Sequence, residues 1–452
     1  MSRNILLVNP NWTGISRQSQ RQFRRVWPPL SLALAAAMLR ERGFSVRILD
    51  ANALALPLSR LTEEARGADQ VFVTSTPYDR WQCPALDVSF FLDACRAVEP
   101  EKLYILGAHV TERPRTLLAA TKARAAILSE PEETMLELAL ADAPASDAPP
   151  PPVPGTARLD KDNGLVRAPA RPPMEDLDAL PLPAFDLLPM GQYHYFPLMG
   201  RGFGILEASR GCPFSCSFCY LGMYGKKVRR KSPERFADEV EAMVRAHGLT
   251  GLYFMDLEFC LDRDWVFAFC EELERRRVRT PWCCQTRVTD LDPEMARTLR
   301  RAGCNLVHLG VESGSERILA STGKGITTDQ AARAVKAARE AGLRTALFLN
   351  LGFPGETPEE MDQTVDLAVK LSPTWASFHL VVPFPGTRLA RDTNTDPEAL
   401  PPHLYPQYVP SHDLAAVKRK LRRAYARFYL RPSFAANLIR DEARARRRLP
   451  WT

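Results

Sequence analysis

Short apolar runs alternate with longer amphipathic stretches along the first 140 residues. Five runs are rich in β-branched and other apolar residues, a composition typical of buried parallel strands. They are NILLVN (4–9), SVRILD (45–50), QVFVTST (70–76), LYILGA (103–108) and AAILSE (125–130). The stretch 28–43 between the first two begins with two prolines and ends at Gly43, which are helix start and stop signals. Strands joined by helical crossovers predict a doubly wound parallel α/β sheet over residues 1–140.

The alternation resumes after residue 202 with six further strand-like runs. They are FGILEAS (203–209), GLYFMD (251–256), WCCQTR (282–287), NLVHLGVES (305–313), TALFLNLGF (345–353) and ASFHLVV (376–382). The pairs Thr327 with Gln330 and Thr357 with Glu360 fit helix capping boxes. Six βα units are fewer than the eight of a closed barrel. We therefore expect an incomplete, TIM-like (β/α)6 barrel over 196–395, open on one side, with its site at the carboxyl ends of the strands.

Two other segments differ in composition. Residues 141–195 are rich in proline, and we expect them to form a linker or strap between the two domains. Residues 396–452 predict a small, mostly helical C-terminal cap.

The overall composition narrows the class of protein. The chain has 452 residues, of which 45% are hydrophobic and 25% charged, as in soluble globular proteins. The net charge of +7 is spread over many residues, so we expect no nucleic-acid partner. No apolar run reaches the roughly 18 residues of a membrane span. The N-terminus lacks signal-peptide features. We expect a cytoplasmic protein, whose ten cysteines serve metal sites or the core rather than disulfides.

Three cysteines are crowded into residues 210–222, RGCPFSCSFCYLG. Cys212, Cys216 and Cys219 follow the first barrel strand in a loop that contains Gly211 and Pro213. Structural zinc sites and ferredoxin clusters usually take four protein ligands. A zinc site with a remote fourth ligand and three buried apolar cysteines are both possible. A [4Fe–4S] cluster with one iron left without a protein ligand accounts better for the number three.

The C-x-x-x-C-x-x-C spacing, with Phe218 before the last cysteine and Tyr220 after it, resembles the signature of the radical S-adenosylmethionine (SAM) enzymes. The resemblance covers roughly 200–390. It implies that Cys212, Cys216 and Cys219 bind the cluster and act in catalysis. The open iron then takes the amino and carboxylate groups of SAM, and one electron cleaves SAM to a 5′-deoxyadenosyl radical. Cys283, Cys284 and Cys304 are expected in the core, and PFPGTRL (383–389) matches a loop common in the superfamily.

SAM carries an ammonium, a carboxylate and a ribose, which polar strand ends can bind. We expect Glu312 to contact the ammonium or ribose and Arg287 the carboxylate. The candidate SAM-binding residues are Phe218, Tyr220, Asp256, Glu258, Gln285, Arg287, Glu312, Ser313, Asn350 and Pro354.

The front motifs, residues 28–52, GAHVTERP (107–114) and SEPEETMLELA (129–139), resemble the flavodoxin-like cobalamin-binding domain that precedes many radical SAM barrels. Ligands of such sheets lie beyond the carboxyl ends of the strands. The candidate cobalamin-binding residues are Pro10, Asn11, Ser75, Thr76, Pro77, Tyr78, Gly107, Ala108, His109 and Glu130. The D-x-H-x-x-G motif of cobalt-ligating domains is missing, since Glu112 stands where Gly is expected. His109 is therefore expected to line the corrin or bond to backbone, and Tyr78 or Trp81 to pack under it.

Together these resemblances imply a cobalamin-dependent radical SAM methyltransferase that acts on an unactivated carbon. The alternatives are a cobalamin-linked radical cyclase, oxidase or rearrangement enzyme without methyl transfer, and a non-catalytic iron–sulfur sensor. We expect a small-molecule, lipid or peptide substrate and an electron donor such as flavodoxin or ferredoxin.

Overall fold

A computed structural model describes residues 3–11, 26–76, 84–141, 150–195 and 200–447. Side chains are described for these residues except 200, 201 and 441–447. Within these ranges no helix has both the length and the apolar character needed to cross a bilayer.

The front of the chain forms the predicted parallel sheet. Its parallel strands are β1 (Asn4–Asn9), β2 (Ser45–Asp50), β3 (Gln70–Thr74), β4 (Leu103–Leu106) and β5 (Ala125–Ile127). They lie in the order β2-β1-β3-β4-β5. Successive side chains of β1 pack into apolar cores on opposite faces of the sheet. Leu7 lies in the core that contains Leu32, whereas Val8 lies in the core that contains Phe91. The sheet is therefore covered on both faces, as its continuous apolar strands require.

Among the described residues of the front domain, six α-helices pack around this sheet. They are α1 (Leu30–Glu41), α2 (Leu58–Arg66), α3 (Ser89–Arg96), α4 (Ala108–Glu112), α5 (Pro114–Thr121) and α6 (Glu132–Ala141). Helix α1 ends as its sequence predicts, with Gly43 in the left-handed region at φ 82°.

The predicted strap contains sheet structure. Strands β6 (Thr156–Leu159) and β7 (Leu165–Arg167) extend the front sheet in antiparallel pairing beyond β5. Part of the predicted linker or strap, 156–167, thus forms a hairpin of the front sheet, while the bounds 141 and 195 stay a prediction. The hairpin pairs with β5, whose edge would otherwise expose unpaired backbone groups. Proline content alone does not predict this pairing. Beyond it, β8 (His194–Tyr195) pairs with β9 (Gly200–Arg201).

The second half forms a curled sheet of six parallel strands, which confirms the incomplete barrel. In order they are β10 (Phe203–Leu206), β13 (Gly251–Phe254), β14 (Trp282–Arg287), β15 (Cys304–Glu312), β16 (Arg344–Leu351) and β17 (Trp375–Leu380). The short strands β11 (Ser209–Arg210) and β12 (Arg229–Arg230) pair separately. Around them lie α7 (Pro233–His247), α8 (Arg263–Arg275), α9 (Pro293–Arg301), α10 (Glu316–Thr322), α11 (Thr328–Ala341), α12 (Pro358–Leu371) and α13 (Arg388–Asp392). Both predicted capping boxes are present, at α11 and α12.

The C-terminal cap is helical, as predicted, and consists mainly of α14 (Leu414–Tyr429) and α15 (Pro432–Arg447). Two tyrosines of α14 bind the backbone of the edge strand β17. Tyr425 Oη lies 3.2 Å from Phe378 N and 3.0 Å from Phe378 O, and Tyr429 Oη pairs in the same way with Ala376. These contacts satisfy backbone groups that a seventh strand would otherwise bind.

A buried ion cluster joins the two domains. Arg210, on β11, donates to Glu207 at 2.7 Å, to Glu130 at 3.0 Å and to Glu132 at 2.6 Å. Arg229, on the paired strand β12, also donates to Glu130 at 3.0 Å. All five residues are buried. Charges removed from water in this way are stable only as a paired set, so this cluster holds the start of the barrel against the end of the front sheet.

We predict that Arg210→Leu lowers the free energy of unfolding by about 3–5 kcal/mol, because it leaves buried carboxylates without a partner. Urea denaturation followed by tryptophan fluorescence measures the loss. Arg263→Ala is the control, since Arg263 forms ion pairs with Asp292 and Glu294 that are largely exposed and are worth about 1 kcal/mol or less. Equal losses in the two variants would contradict the importance of the buried cluster.

Candidate functional site

The three-cysteine segment, 211–228, is a loop closed at its base by the β11–β12 ribbon. Gly211 opens it with φ 91°. A Cβ at this position would lie 2.2 Å from the carbonyl oxygen of Lys227, so only glycine fits where the two ends of the loop meet. We call this segment the cluster loop.

The cluster loop is also attached to the barrel. Ser217 N donates to Thr322 O at 2.8 Å, and Leu389 N donates to Ser217 O at 2.8 Å. Leu389 belongs to the PFPGTRL segment, whose chemistry the sequence left unassigned. Backbone bonds on both sides of Ser217 therefore place Cys216 and Cys219 beside the carboxyl ends of the barrel strands.

Cys212, Cys216 and Cys219 are half-buried and form no disulfide bond. Burial raises the pKa of Cys212 and Cys216, while Lys324 and Arg287 oppose the shift at Cys216. No three His, Cys, Asp or Glu side chains in the described ranges converge on a single ion position. Each thiolate of a [4Fe–4S] cluster binds a separate iron. The donor set therefore fits a [4Fe–4S] cluster with three protein ligands.

Arg287 ends β14 beside the cluster loop. Its guanidinium carbon lies 3.8 Å from the centre of the Phe214 ring, and it donates to the carbonyl oxygen of Lys324. Its backbone N–H donates to Glu258 at 3.1 Å, and the Thr286 hydroxyl donates to the same carboxylate. Burial raises the pKa of Glu258 to about 8. The structure thus brings Arg287 and Glu258 together next to the cysteines.

Glu312 ends β15 in a strained conformation. Its φ of 70° is in the left-handed region, after a register shift in the pairing of β15 with β16. Its carboxylate accepts from Lys324 at 2.5 Å and from the Asn350 amide. Strain of this kind is found at ligand sites. Sequence analysis missed Lys324, because it follows α10 rather than a strand and no spacing rule connects it with Glu312.

Other predicted SAM residues have protein partners. Asp256 accepts from Ala208 N at 3.2 Å and from the Ser209 hydroxyl, which fixes the approach to the cluster loop. The Gln285 amide bonds at 3.3 Å to the Tyr253 hydroxyl and to a backbone carbonyl.

Ser313 is fully buried, and its hydroxyl lies 3.2 Å from that of Thr364. Pro354 is exposed. Glu258 and Arg287 act electrostatically on Cys212, and Glu312 and Arg287 act on Cys216. These three residues are therefore the predicted SAM residues that the structure places near the cysteines.

The two aromatic residues of the cluster loop have different surroundings. Phe218 packs edge-on against Phe353, with ring centroids 5.7 Å apart. Tyr220 is buried, and its hydroxyl lies 3.5 Å from the carbonyl oxygen of Ala108 in the front domain. Tyr220 therefore connects the two domains.

Predicted cobalamin residues at the ends of β3 and β4 lie together. Thr76 Oγ1 accepts from Ala108 N at 2.8 Å. Gly107 has φ 110°, and a Cβ there would lie 2.6 Å from Ser75 Oγ. His109 is fully buried, with Nε2 2.8 Å from Ala85 O and Nδ1 3.2 Å from Ser75 Oγ. Burial lowers the pKa of His109 to about 4. The imidazole therefore bonds to the backbone carbonyl of Ala85, in line with the expectation drawn from the missing D-x-H-x-x-G motif.

The remaining candidates are placed differently. Pro10 is buried, and the Asn11 amide donates to Leu56 O at 3.1 Å. Glu130 belongs to the ion cluster, so its carboxylate faces Arg210 and Arg229. Its assignment to cobalamin stays a prediction. Pro77, Tyr78 and Trp81 lie outside the described residues.

A polar group at the ends of β1 and β2 was missed by sequence analysis. Asp50 accepts from Asn9 at 3.0 Å and from Tyr193 at 2.7 Å. Within the described ranges, Asn9 Oδ1 and both polar atoms of the Asn52 side chain are buried without a hydrogen-bond partner. Orphaned buried amides at the carboxyl edge of such a sheet fit a polar ligand such as cobalamin. Their only sequence signal was their position after apolar strands.

Comparison with known proteins places these features in a family. Residues 206–368 match the model of the radical SAM superfamily. An uncharacterized methyltransferase of Pyrococcus horikoshii is 32% identical over 97% of this chain and 94% of its own length. The anaerobic magnesium-protoporphyrin IX monomethyl ester cyclase of Rubrivivax gelatinosus is 28% identical over 95% of this chain and 78% of its own.

A solved structure has the same fold. It is the radical SAM methyltransferase TsrM of Kitasatospora setae, with cobalamin and a [4Fe–4S] cluster bound. It superposes with a TM-score of 0.72 and 21% identity, over 96% of this chain and 90% of that protein. The order of a doubly wound sheet followed by a partial barrel is therefore shared over nearly the whole chain.

The buried Asp50 predicts a specific pH dependence of stability. Burial raises its pKa from 3.8 to about 6. In the unfolded chain the Asp50 carboxyl ionises at a lower pH than in the folded protein. The stabilising contribution of Asp50 is therefore fully present below about pH 4 and decreases as the pH rises to about 6. The loss is at most about 3 kcal/mol. We predict that Asp50→Asn gains stability relative to wild type as pH rises from 4 to 7, measured by urea denaturation.

Asp93→Asn, at an exposed carboxylate of α3, is the control. A difference between Asp50→Asn and wild type that stays constant from pH 4 to pH 7 would contradict the raised pKa.

Proposed function

This chain belongs to the radical SAM superfamily, and we propose on that basis that it is a cobalamin-dependent methyltransferase that methylates an unactivated carbon. The observation that carries the proposal is the direct contact between the cluster loop, through Tyr220, and the carboxyl edge of the front sheet at Ala108. Two cofactor sites that must act on one substrate are thereby neighbours. The names of the Pyrococcus relative and of TsrM support methyl transfer.

We propose that Cys212, Cys216 and Cys219 hold the [4Fe–4S] cluster. When bound, the cluster and cobalamin supply electron transfer to SAM and a carrier for its methyl group. The protein's own part is to leave one iron accessible and to exclude bulk water. The thiols are only half-buried, which leaves one side of a bound cluster accessible. The Phe214 ring stacked on Arg287 helps to exclude bulk water.

For SAM we propose that Glu312 binds the ammonium or ribose and Arg287 the carboxylate. Glu312 is already oriented by Lys324 and Asn350, so little side-chain entropy is lost when a ligand binds. Glu258 holds the backbone N–H of Arg287 and so positions its strand end. A carboxylate and a guanidinium beside the same cysteine suit an amino-acid group on the open iron.

For cobalamin we propose the carboxyl edge of β1, β3 and β4, with no histidine on cobalt. Both ring nitrogens of His109 already have partners, Ala85 O and Ser75 Oγ. A ligating imidazole needs one nitrogen free for the metal. The Asn9 side-chain oxygen and both polar atoms of the Asn52 amide, which are buried without a hydrogen-bond partner, would bind polar groups of the cofactor.

A cobalamin-linked cyclase or oxidase is the second candidate. The Rubrivivax cyclase, at 28% identity over 95% of the chain, favours it. Product made with methyl-labelled SAM separates the two, because only methyl transfer leaves the label in the substrate. For either reaction we propose a small redox protein, flavodoxin or ferredoxin, as electron donor in the cytoplasm, and a small-molecule, lipid or peptide substrate.

We predict that the protein, reconstituted anaerobically, binds about four irons and cleaves SAM with dithionite as reductant. The triple variant in which Cys212, Cys216 and Cys219 become Ala should lose both, because the cluster has no other ligands. Iron analysis and chromatography of 5′-deoxyadenosine provide the measurements. Cys283→Ala with Cys284→Ala, both in the core, is the control. A triple variant that keeps its cluster would refute the assignment.

We further predict that Glu312→Ala and Arg287→Ala weaken SAM binding. Each loses one charge-assisted contact, roughly 1.5–3 kcal/mol or one to two decades in affinity. Calorimetry on the reconstituted protein measures this, and the cluster spectrum should stay unchanged. Glu316→Ala, on α10 outside the strand end, is the control. Two variants that bind SAM like wild type would place its site elsewhere.

A further inference from the structure

The cluster loop has an outer side as well as an inner one. Phe214 and Cys216 are partly buried, and the Phe214 ring faces Arg287 at the end of a barrel strand. Pro213 and Ser215, which alternate with them along the chain, are exposed. The side of the loop that carries Ser215 therefore reaches the protein surface directly beside Cys216, a proposed cluster ligand.

Two cationic side chains flank Ser215 on this outer side. Lys226 is exposed, and its Nζ donates to the Ser215 hydroxyl at 2.7 Å. Arg388, the first residue of α13, reaches the loop across Gly323. A Cβ on Gly323 would lie 3.0 Å from Arg388 Nη2 and 3.4 Å from the carbonyl oxygen of Ser215. We call Ser215, Lys226 and Arg388 the basic rim.

The charges of the basic rim are only weakly compensated. Lys226 is hydrogen-bonded to a neutral hydroxyl, and within the described ranges no carboxylate forms an ion pair with it. Arg388 Nε lies 3.7 Å from Asp392, in an exposed pair of a kind that is worth little in water. Lys227 pairs with Glu175 at 2.5 Å, so we leave it out of the rim. Lys226 and Arg388 thus present two positive charges to solvent.

A protein that brings electrons to the cluster needs such a surface. The proposed reaction takes one electron from a separate redox protein for each SAM that is cleaved. The redox protein is oxidised by one electron and the cluster is reduced by one, without transfer of a proton or a group. Electron-transfer complexes of this kind bury less than about 1,200 Å², and opposite charges on the two partners speed their encounter. Two cations beside a cluster ligand therefore suit an acidic partner.

We propose that the basic rim docks an acidic electron-transfer protein of the flavodoxin kind, so that the electron enters on the Cys216 side of the cluster. This rests on the proposed function and adds the surface on which its electron donor binds. The PFPGTRL segment, which supplies Arg388, thereby acquires a role that its sequence did not reveal.

The test compares two reductants of SAM cleavage in the reconstituted protein. Dithionite is a small molecule that needs no docking surface, whereas photoreduced flavodoxin must bind. Lys226→Glu combined with Arg388→Glu, the rim variant, should slow flavodoxin-driven formation of 5′-deoxyadenosine about tenfold or more at low salt. The rate with dithionite should stay unchanged. Higher ionic strength should narrow the difference between wild type and the rim variant, because salt screens exposed charges.

Binding is measured separately, without turnover. In cluster-free protein, calorimetry should show that flavodoxin binds the rim variant about tenfold or more weakly than wild type. Carbodiimide coupling joins lysine amines to carboxylates that lie in contact. Mass spectrometry of the coupled wild-type complex should therefore find Lys226 linked to flavodoxin.

Two controls separate the position of the charges from their number and from the shape of the side chains. Lys226→Arg combined with Arg388→Lys keeps both charges and should behave like wild type. Arg333→Glu combined with Lys336→Glu, at exposed positions of α11, changes the net charge by the same amount as the rim variant. It should leave flavodoxin-driven cleavage unchanged.

An equal fall with both reductants, an equal loss in the α11 variant, or flavodoxin-driven cleavage that the rim variant leaves unchanged would overturn the proposal. So would a wild type that cleaves SAM with dithionite but not with flavodoxin. If wild type cleaves no SAM with dithionite, the proposed function fails instead. Calorimetry then decides the docking surface alone: equal affinities of wild type and the rim variant for flavodoxin would overturn it.

Discussion

The burial of Arg210 among three carboxylates constrains the rest of the molecule. Arg210 precedes the first cluster cysteine by two residues, while Glu130 and Glu132 follow the last parallel strand of the front sheet. In a low-dielectric interior none of these charges can lose its partner without a large cost. The base of the cluster loop therefore has one position relative to the front domain. The hydrogen bond from the Tyr220 hydroxyl to the carbonyl oxygen of Ala108 extends that junction to the end of the cysteine motif.

Around this junction the site is prepared before any ligand binds. Glu312 is held in a left-handed conformation by Lys324 and Asn350, and Arg287 is held by Glu258 and Phe214. The cost of such strain is met by the surrounding barrel, whose core is closely packed. A charged cosubstrate then meets groups that need little rearrangement.

The same scaffold serves different outcomes in related proteins. A methyltransferase and a cyclase both match this chain over more than nine-tenths of its length. Fold and cofactor sites are therefore compatible with more than one fate of a substrate radical. What separates the fates must lie in the groups that face the substrate.

The linear sequence determined those features that local patterns encode. Apolar periodicity predicted eleven parallel strands in two sheets, and capping boxes predicted the starts of α11 and α12. The assignment of the three closely spaced cysteines as cluster ligands stays a prediction. The covering hairpin β6–β7, the pairing of Lys324 with Glu312, the orphaned amide of Asn52 and the role of Glu130 were decided only by tertiary structure. Each depends on groups far apart in the chain whose charges or backbone hydrogen bonds must be satisfied once water is excluded. That requirement acts on the folded interior and leaves no periodic signal in the sequence.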